Sequence, residues 1–126
     1  MEKVLPHSLF TDHDIYLFRE GKHYKLYDKF GSHNAEVNGE NGVYFAVWAP
    51  FAKKVSVIGD FNNWNPETHH LFPRWDSSGI WEGFIPHLKW GDIYKYGIRS
   101  NKDILLEKGD PFALSWEQNV QASSVI

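Results

Sequence analysis

The chain has 126 residues, a formal net charge of −3 and no cysteine. That is about the size of one domain. It excludes a disulfide framework, a thiolate nucleophile and a cysteine-based zinc site, and with no basic block a nucleic-acid backbone lacks its electrostatic footprint. Aromatic residues make up 17% of the chain, with six Trp, six Tyr and nine Phe, so rings are available for recognition as well as for packing. The opening MEKVLPHSLF is too short and polar for a signal peptide, and no run approaches membrane-spanning length. A cytoplasmic protein with no membrane partner is compatible with both.

Residues 1–33 read as a lead with short helices. Thr11 or Asp12 can cap a helix whose apolar side is Ile15, Leu17 and Phe18, and Gly21 can end it in the left-handed conformation. A second helical piece is expected over Tyr24–Phe30, stopped by Gly31. Neither piece is long enough to stand alone, so both have to pack on something. His33–Asn41 is polar and turn-rich, with Gly39-Glu40-Asn41-Gly42 reading as a tight turn into a strand.

From there to residue 126 the pattern is β. Val43–Ala49 is apolar on both faces, as a strand covered on both sides would be. Val55–Gly59 is the next strand. Asn62–Asp76 reads as a long loop, and Ile80–Ile85 as a strand closed by Pro86. Ile93–Arg99 alternates: Tyr94, Tyr96 and Ile98 share one face, Lys95 and Arg99 the other. Ile104–Glu107 and Ser123–Ile126 complete the set. Short strands between regular turn signals predict a mainly β fold, an immunoglobulin-like β-sandwich over 34–126 preceded by one or two short helices. The chain finishes on Val125-Ile126, apolar and mid-strand, as a piece of a longer protein would.

The stretch that points to function is Val55–Trp64, VSVIGDFNNW. A strand breaks at Gly59-Asp60 and delivers Phe61, Asn62, Asn63 and Trp64 into a loop. A sugar ring has apolar C–H faces that lie on an indole, and its hydroxyls pair with an amide that both donates and accepts. The plainer reading is a core Trp and two turn-forming Asn. Lys95 has the same two readings, a solvated strand residue or a donor to sugar hydroxyls beside the Trp. Among the other rings, Trp48 is assigned to the core, Trp75, Trp81 and Trp90 are further candidates, with core packing the favoured reading for Trp81 inside its strand, and Trp116 can line an interface. Aromatics with Lys also stack single-stranded bases, but the net charge argues against nucleic acid. No catalytic set is found. The seven His show no helical i, i+4 pair, so no metal site is expected, and no cofactor motif occurs.

The segments YLFREGKHYKLYDKFGSH (Tyr16 to His33), GVYFAVWAPFAKKVSVIGDFNNWN (Gly42 to Asn65), GIWEGFIPHLKWGDIYKYGI (Gly79 to Ile98) and KGDPFA (Lys108 to Ala113) closely resemble the N-terminal region of glycogen branching enzymes. The middle block is shared with the glycogen-binding modules of isoamylases, debranching enzymes and the AMP-activated kinase β subunit. The leading block is the more specific of these resemblances and points to branching enzymes. The resemblance implies an immunoglobulin-like module preceding an alpha-amylase-type barrel that transfers α-1,4-glucan pieces to 6-hydroxyls in glycogen biosynthesis. The nucleophile and acid of that reaction lie in the barrel, so no catalytic residue carries over and this chain alone should not catalyse it. The implied partners are an α-glucan, glycogen or malto-oligosaccharide, and the enzyme's own catalytic domain. The implied binding residues are Trp64, which ends the FNNW motif, and Lys95 of the Tyr-Lys-Tyr motif, with Asn63 beside the Trp. A later family pattern falls near Asn119, Gln121 and Ser123 and departs from it. The family's second binding Trp is missing from Arg99–Asp103. A vestigial sugar site on a domain that mainly packs against the barrel is the alternative.

Overall fold

The structure, a computed structural model, describes residues 4–21, 29–76, 78–88, 91–109, 115–116 and 124–125. The segment expected to form the second helix therefore lies largely outside the described residues, as do Trp90, Asn119, Gln121 and Ser123. Two antiparallel sheets face each other. One has the order β1-β2-β5-β4, built from Gly31–Val37, Glu40–Trp48, Ile80–Pro86 and Phe72–Pro73. The other has the order β3-β6-β9-β8, built from Ala52–Gly59, Ile93–Ser100, Ser124–Val125 and Ser115–Trp116, with β7 (Leu105–Lys108) also paired to β6. This is the immunoglobulin-like sandwich that the alternation predicted. Among the described residues one α-helix, α1 (Asp12–Arg19), precedes it. No described helix is long and apolar enough to cross a membrane.

The core between the sheets follows the period of two. Val43, Phe45, Val47, Trp81 and Ile85 from one sheet meet Val55, Val57, Tyr94, Tyr96 and Ile98 from the other. The Phe45 ring meets Tyr94 edge-on at 5.1 Å between centroids. Trp81 is core, as expected, and donates its indole N–H to the Ala49 carbonyl at 3.2 Å. Trp48 corrects the sequence reading. It alternates onto the outer face at the end of β2, is 54% exposed, and donates to the Ser78 carbonyl.

His33–Asn41 also differs from expectation. It is a polar edge strand followed by a hairpin. Val37 pairs directly with Glu40, leaving a two-residue loop in which Asn38 (φ 53°) and Gly39 (φ 82°) are both left-handed. Asn-Gly is the pair that a twisted two-residue hairpin favours. The sandwich thus reaches back to Gly31.

A second apolar cluster, Phe10, Ile15, Phe30, Tyr44, Ala46 and Ile80, covers the outer face of the β1-β2-β5-β4 sheet. It is what makes β2 buried on both sides. α1 starts from a reciprocal cap: Thr11 Oγ1 accepts from the Asp14 N–H at 3.1 Å, and Asp14 Oδ2 accepts from the Thr11 N–H at 2.9 Å. Gly21 follows the helix at φ 68°, as predicted. Beside this cluster Glu82 is buried, and its carboxylate accepts from Ser8 Oγ (2.7 Å), Tyr44 OH (2.9 Å) and Arg74 Nη1 (3.4 Å). Arg74 Nε also donates to Asp76 at 2.9 Å.

Two consequences are measurable. A Cβ at Gly42 would lie 2.4 Å from the Ile85 carbonyl oxygen and 2.7 Å from Pro86 Cα, both backbone atoms of the paired strand. Gly42→Ala is expected to lower unfolding free energy by about 2 kcal/mol or more in urea titrations. Burial pushes the Tyr44 hydroxyl far above the ordinary tyrosine range, and the adjacent Glu82 carboxylate adds to this. Its contribution is therefore complete below a pH of about 10, where an unfolded phenol begins to ionise, and declines above it by about 1.4 kcal/mol per pH unit. Stability compared at about pH 9 and pH 11 should fall less in Tyr44→Phe than in the parent chain.

Candidate functional site

β3 ends at Gly59, and a single 3-10 turn over Asp60–Asn62 follows. The two adjacent Asn residues of the motif divide the work. Asn62 is a turn former: Oδ1 accepts the Gly59 N–H at 3.0 Å, while Nδ2 donates to the Val57 carbonyl at 2.9 Å and to Thr68 Oγ1 at 3.2 Å. Its amide is spent on the loop. Asn63 is exposed. Asn63 and Trp64 both stand at φ 56°, so the chain reverses there, and the Trp64 N–H returns to the Gly59 carbonyl at 2.9 Å.

The Trp64 indole is half-buried, and its N–H donates to Asp60 Oδ1 at 2.9 Å. That bond fixes the ring and leaves its π-faces as the means of contact. Phe61 turns the other way and meets His69 edge-on at 5.0 Å. Beside the turn lies a recess of about 340 Å³ lined by Asp60, Phe61, Gly91, Asp92 and Ile93.

After Trp64 the chain runs back along β3. The His69 carbonyl accepts from the Val57 N–H at 3.1 Å, and the Leu71 N–H donates to the Val55 carbonyl at 2.8 Å. The open edge of β3 is thereby occupied. The same loop also covers the outer face of the β3–β6 pair. Pro66 lies over Gly97, and Glu67 pairs with Arg99 at 3.2 Å.

This covering changes the picture of Lys95. It lies on the face opposite Tyr94 and Tyr96, as the alternation required, but that face is not open to solvent and Lys95 is only 6% exposed. Its neighbour across the pair is Ile58, also buried. Among the described residues the Lys95 ammonium has no hydrogen-bond or ion-pair partner. His70 Nδ1 is the only described side-chain nitrogen or oxygen both sealed from solvent and unpaired. The Lys95 stem is therefore packed while its Nζ reaches the surface. Ile58 immediately precedes Gly59, so Lys95 and the Trp64 turn stand at the same end of the strand pair.

The Trp64 turn, with Asn63, and Lys95 thus stand at one end of the β3–β6 pair. Trp75 stands apart, after β4, and is 80% exposed. For Trp116 only the backbone, in β8, is described. The plainer sequence reading of a turn-forming Asn holds for Asn62; what sequence reasoning missed is the bond from the Trp64 indole to Asp60 and the burial of Lys95. An acceptor four residues before the indole was the available signal for Asp60. Nothing local announces that a loop will fold over Lys95. No group of three or more His, Asp or Glu among the described residues could hold a metal ion.

Known proteins resemble the chain along most of its length. A family model described as carbohydrate-binding module 48 (isoamylase N-terminal domain) matches residues 29–113. The 1,4-alpha-glucan branching enzyme GlgB of Thermosynechococcus vestitus is 47% identical over 116 residues, covering 92% of this chain and 15% of that enzyme. The GlgB of Aquifex aeolicus is 48% identical over 119 residues, covering 94% and 19%. The chain therefore spans less than a fifth of the length of these relatives. Among solved structures, PulA from Klebsiella oxytoca superposes with a TM-score of 0.57 at 27% identity, over 77% of this chain and 9% of that one. Apo pullulanase from Paenibacillus barengoltzii gives a TM-score of 0.58 at 17% identity over 98% and 20%, a likeness of fold. With its sandwich and the span of the family match, the chain belongs to the carbohydrate-binding module 48 family.

Proposed function

We propose that the chain is the N-terminal, non-catalytic module of a glycogen branching enzyme, and that it holds α-1,4-glucan chains for a catalytic domain that forms α-1,6 branches. The observation that carries this reading is the Trp64 ring, fixed by its bond to Asp60, standing with exposed Asn63 at the Lys95 end of β3–β6. The indole offers an apolar face to the C–H side of a glucose ring. The Asn63 amide can donate to and accept from the rim hydroxyls, and the Lys95 ammonium is a donor with no competing partner among the described residues. Asn119, Gln121 and Ser123 belong to the same reading as further hydrogen-bonding groups, with the residues before Gly31 as the lead and those from Gly31 onward as the module, three residues earlier than the boundary expected from sequence. A cytoplasmic location goes with it. The chain alone carries out no transfer, because the reacting groups belong to the catalytic domain.

A stacked ring contributes on the order of 1 kcal/mol beyond area burial, so a site built on one Trp should bind with a dissociation constant nearer millimolar than micromolar. The test is an NMR titration with maltoheptaose that follows the indole N–H signals. Saturable shifts of Trp64 are expected, and Trp64→Ala should weaken binding there at least about tenfold with the fold intact. A Trp64 signal unmoved at high ligand concentration sinks the reading for this chain and returns the domain to a structural partner of its barrel.

A further inference from the structure

The most exposed ring of the described chain lies outside this site. Trp75 is 80% exposed and Tyr16 is 61% exposed. The two flank a recess of about 320 Å³ between α1 and the turn after β4, with Asp12, Ile15, Arg19 and Glu20 among its lining. That volume falls at the lower end of small-molecule sites.

Both rings are mounted on fixed supports. The turn carrying Trp75 is held on each side of it. Arg74 and Asp76 are joined at 2.9 Å with side chains only 5% and 7% exposed. The Arg74 N–H donates to the Ile80 carbonyl at 2.9 Å, and the Ser78 N–H donates to Asp76 at 3.1 Å. The neighbours of Trp75 are thus buried and paired while its own side chain projects outward. Tyr16 rides on capped α1, and Arg19 of the same helix donates to the Asp76 carbonyl, clasping the helix to the turn. A preorganised pair of aromatic rings loses little freedom when a ligand binds.

The rim chemistry selects the ligand class. Asp12 and Glu20 are acceptors and Arg19 is a donor, so the recess carries charge of both signs and disfavours an anion such as a phosphate backbone. The floor is Ile15, which is buried. An apolar floor, two ring faces and a rim of donors and acceptors suit a neutral, polyhydroxylated chain. We infer that the Tyr16–Trp75 recess is a second α-glucan site, independent of the Trp64 turn. The ligand class rests on the glucan-binding reading above; the location rests on the recess itself. The two sites belong to opposite layers of the sandwich, Tyr16 on the helix beside the β1-β2-β5-β4 sheet and Trp64 in the turn that leaves β3 of the other. Two attachments of this kind let one domain hold two chains of a branched polymer, with avidity well above either site alone.

The test uses the intact 126-residue chain and maltoheptaose, with indole N–H signals assigned through Trp64→Ala and Trp75→Ala. The Trp75 signal is expected to shift saturably in the parent chain and equally in Trp64→Ala. Tyr16→Ala should weaken the Trp75 response at least about fivefold and leave that of Trp64 unchanged, and retention of Trp75→Ala on glycogen should drop about tenfold. A Trp64 response with a silent Trp75 overturns the second site and leaves the first standing. A Trp75 response with a silent Trp64 upholds the second and overturns the first. Silence at both removes the glucan reading and this inference together. A Trp75 shift that vanishes in Trp64→Ala overturns the independence of the recess.

Discussion

A carboxylate buried on the outer face of a β-sheet has to be answered by donors, and Glu82 is answered by three. Ser8 comes from the N-terminal lead, Tyr44 from the neighbouring strand and Arg74 from the turn after β4. Removing one partner of such a group leaves a desolvated charge and costs far more than the bond is worth in isolation. The network therefore ties three distant parts of the chain to one point. It brings the lead onto the sheet, so that Phe10 and Ile15 cover Tyr44 and Ala46. Arg74 then sets Asp76, whose carbonyl receives Arg19 from α1. Burial alone would raise the Asp76 carboxyl, yet hydrogen bonds from Ser78 and Arg74 hold it below the usual carboxylate range. The helix, the turn and the two exposed rings beside them all follow from satisfying one buried acid.

The other layer is organised by an amide. Asn62 bonds to Gly59, Val57 and Thr68, so the loop after β3 folds over the strand pair it has just left. Three effects share that cause. The edge of β3 is occupied, the Lys95 stem is packed beneath the loop, and the half-buried Trp64 ring is held with its N–H on Asp60. The proposed binding surface comes from a loop that is also a piece of the fold's own packing.

Much of this was legible in the sequence. Alternation in Ile93–Arg99 gave the faces of Tyr94, Tyr96 and Lys95 correctly, because a strand's period depends only on its backbone. The doubly apolar run of Val43–Ala49 announced a strand covered on both sides. Trp48 lies on the outer face by alternation, and whether that face is covered there depends on where the lead stops, which is a tertiary fact. β1 was read as a turn region, since its residues are polar and half-exposed; the Asn38-Gly39 pair held the hairpin signal, but the weak strand before it masked the meaning. Asn62 and Asn63 are indistinguishable by type, and only the geometry separates the one that builds the turn from the one left exposed. The meeting of Tyr16 with Trp75 spans most of the N-terminal half and passes through Glu82. No local pattern carries it.

Asn63 and Trp64 both occupy the left-handed region. Asn tolerates it; a bulky L-residue does so at a cost of roughly 1 kcal/mol or more. A glycine at 64 would adopt the same backbone freely. Backbone conformation alone thus gives no reason for an indole at this position, and the turn is a place where conformational ease and the proposed recognition pull in opposite directions. The surrounding hydrogen bonds hold the ring in a backbone conformation that the residue by itself would avoid. A loop under that tension presents its aromatic face already in place, before any ligand arrives.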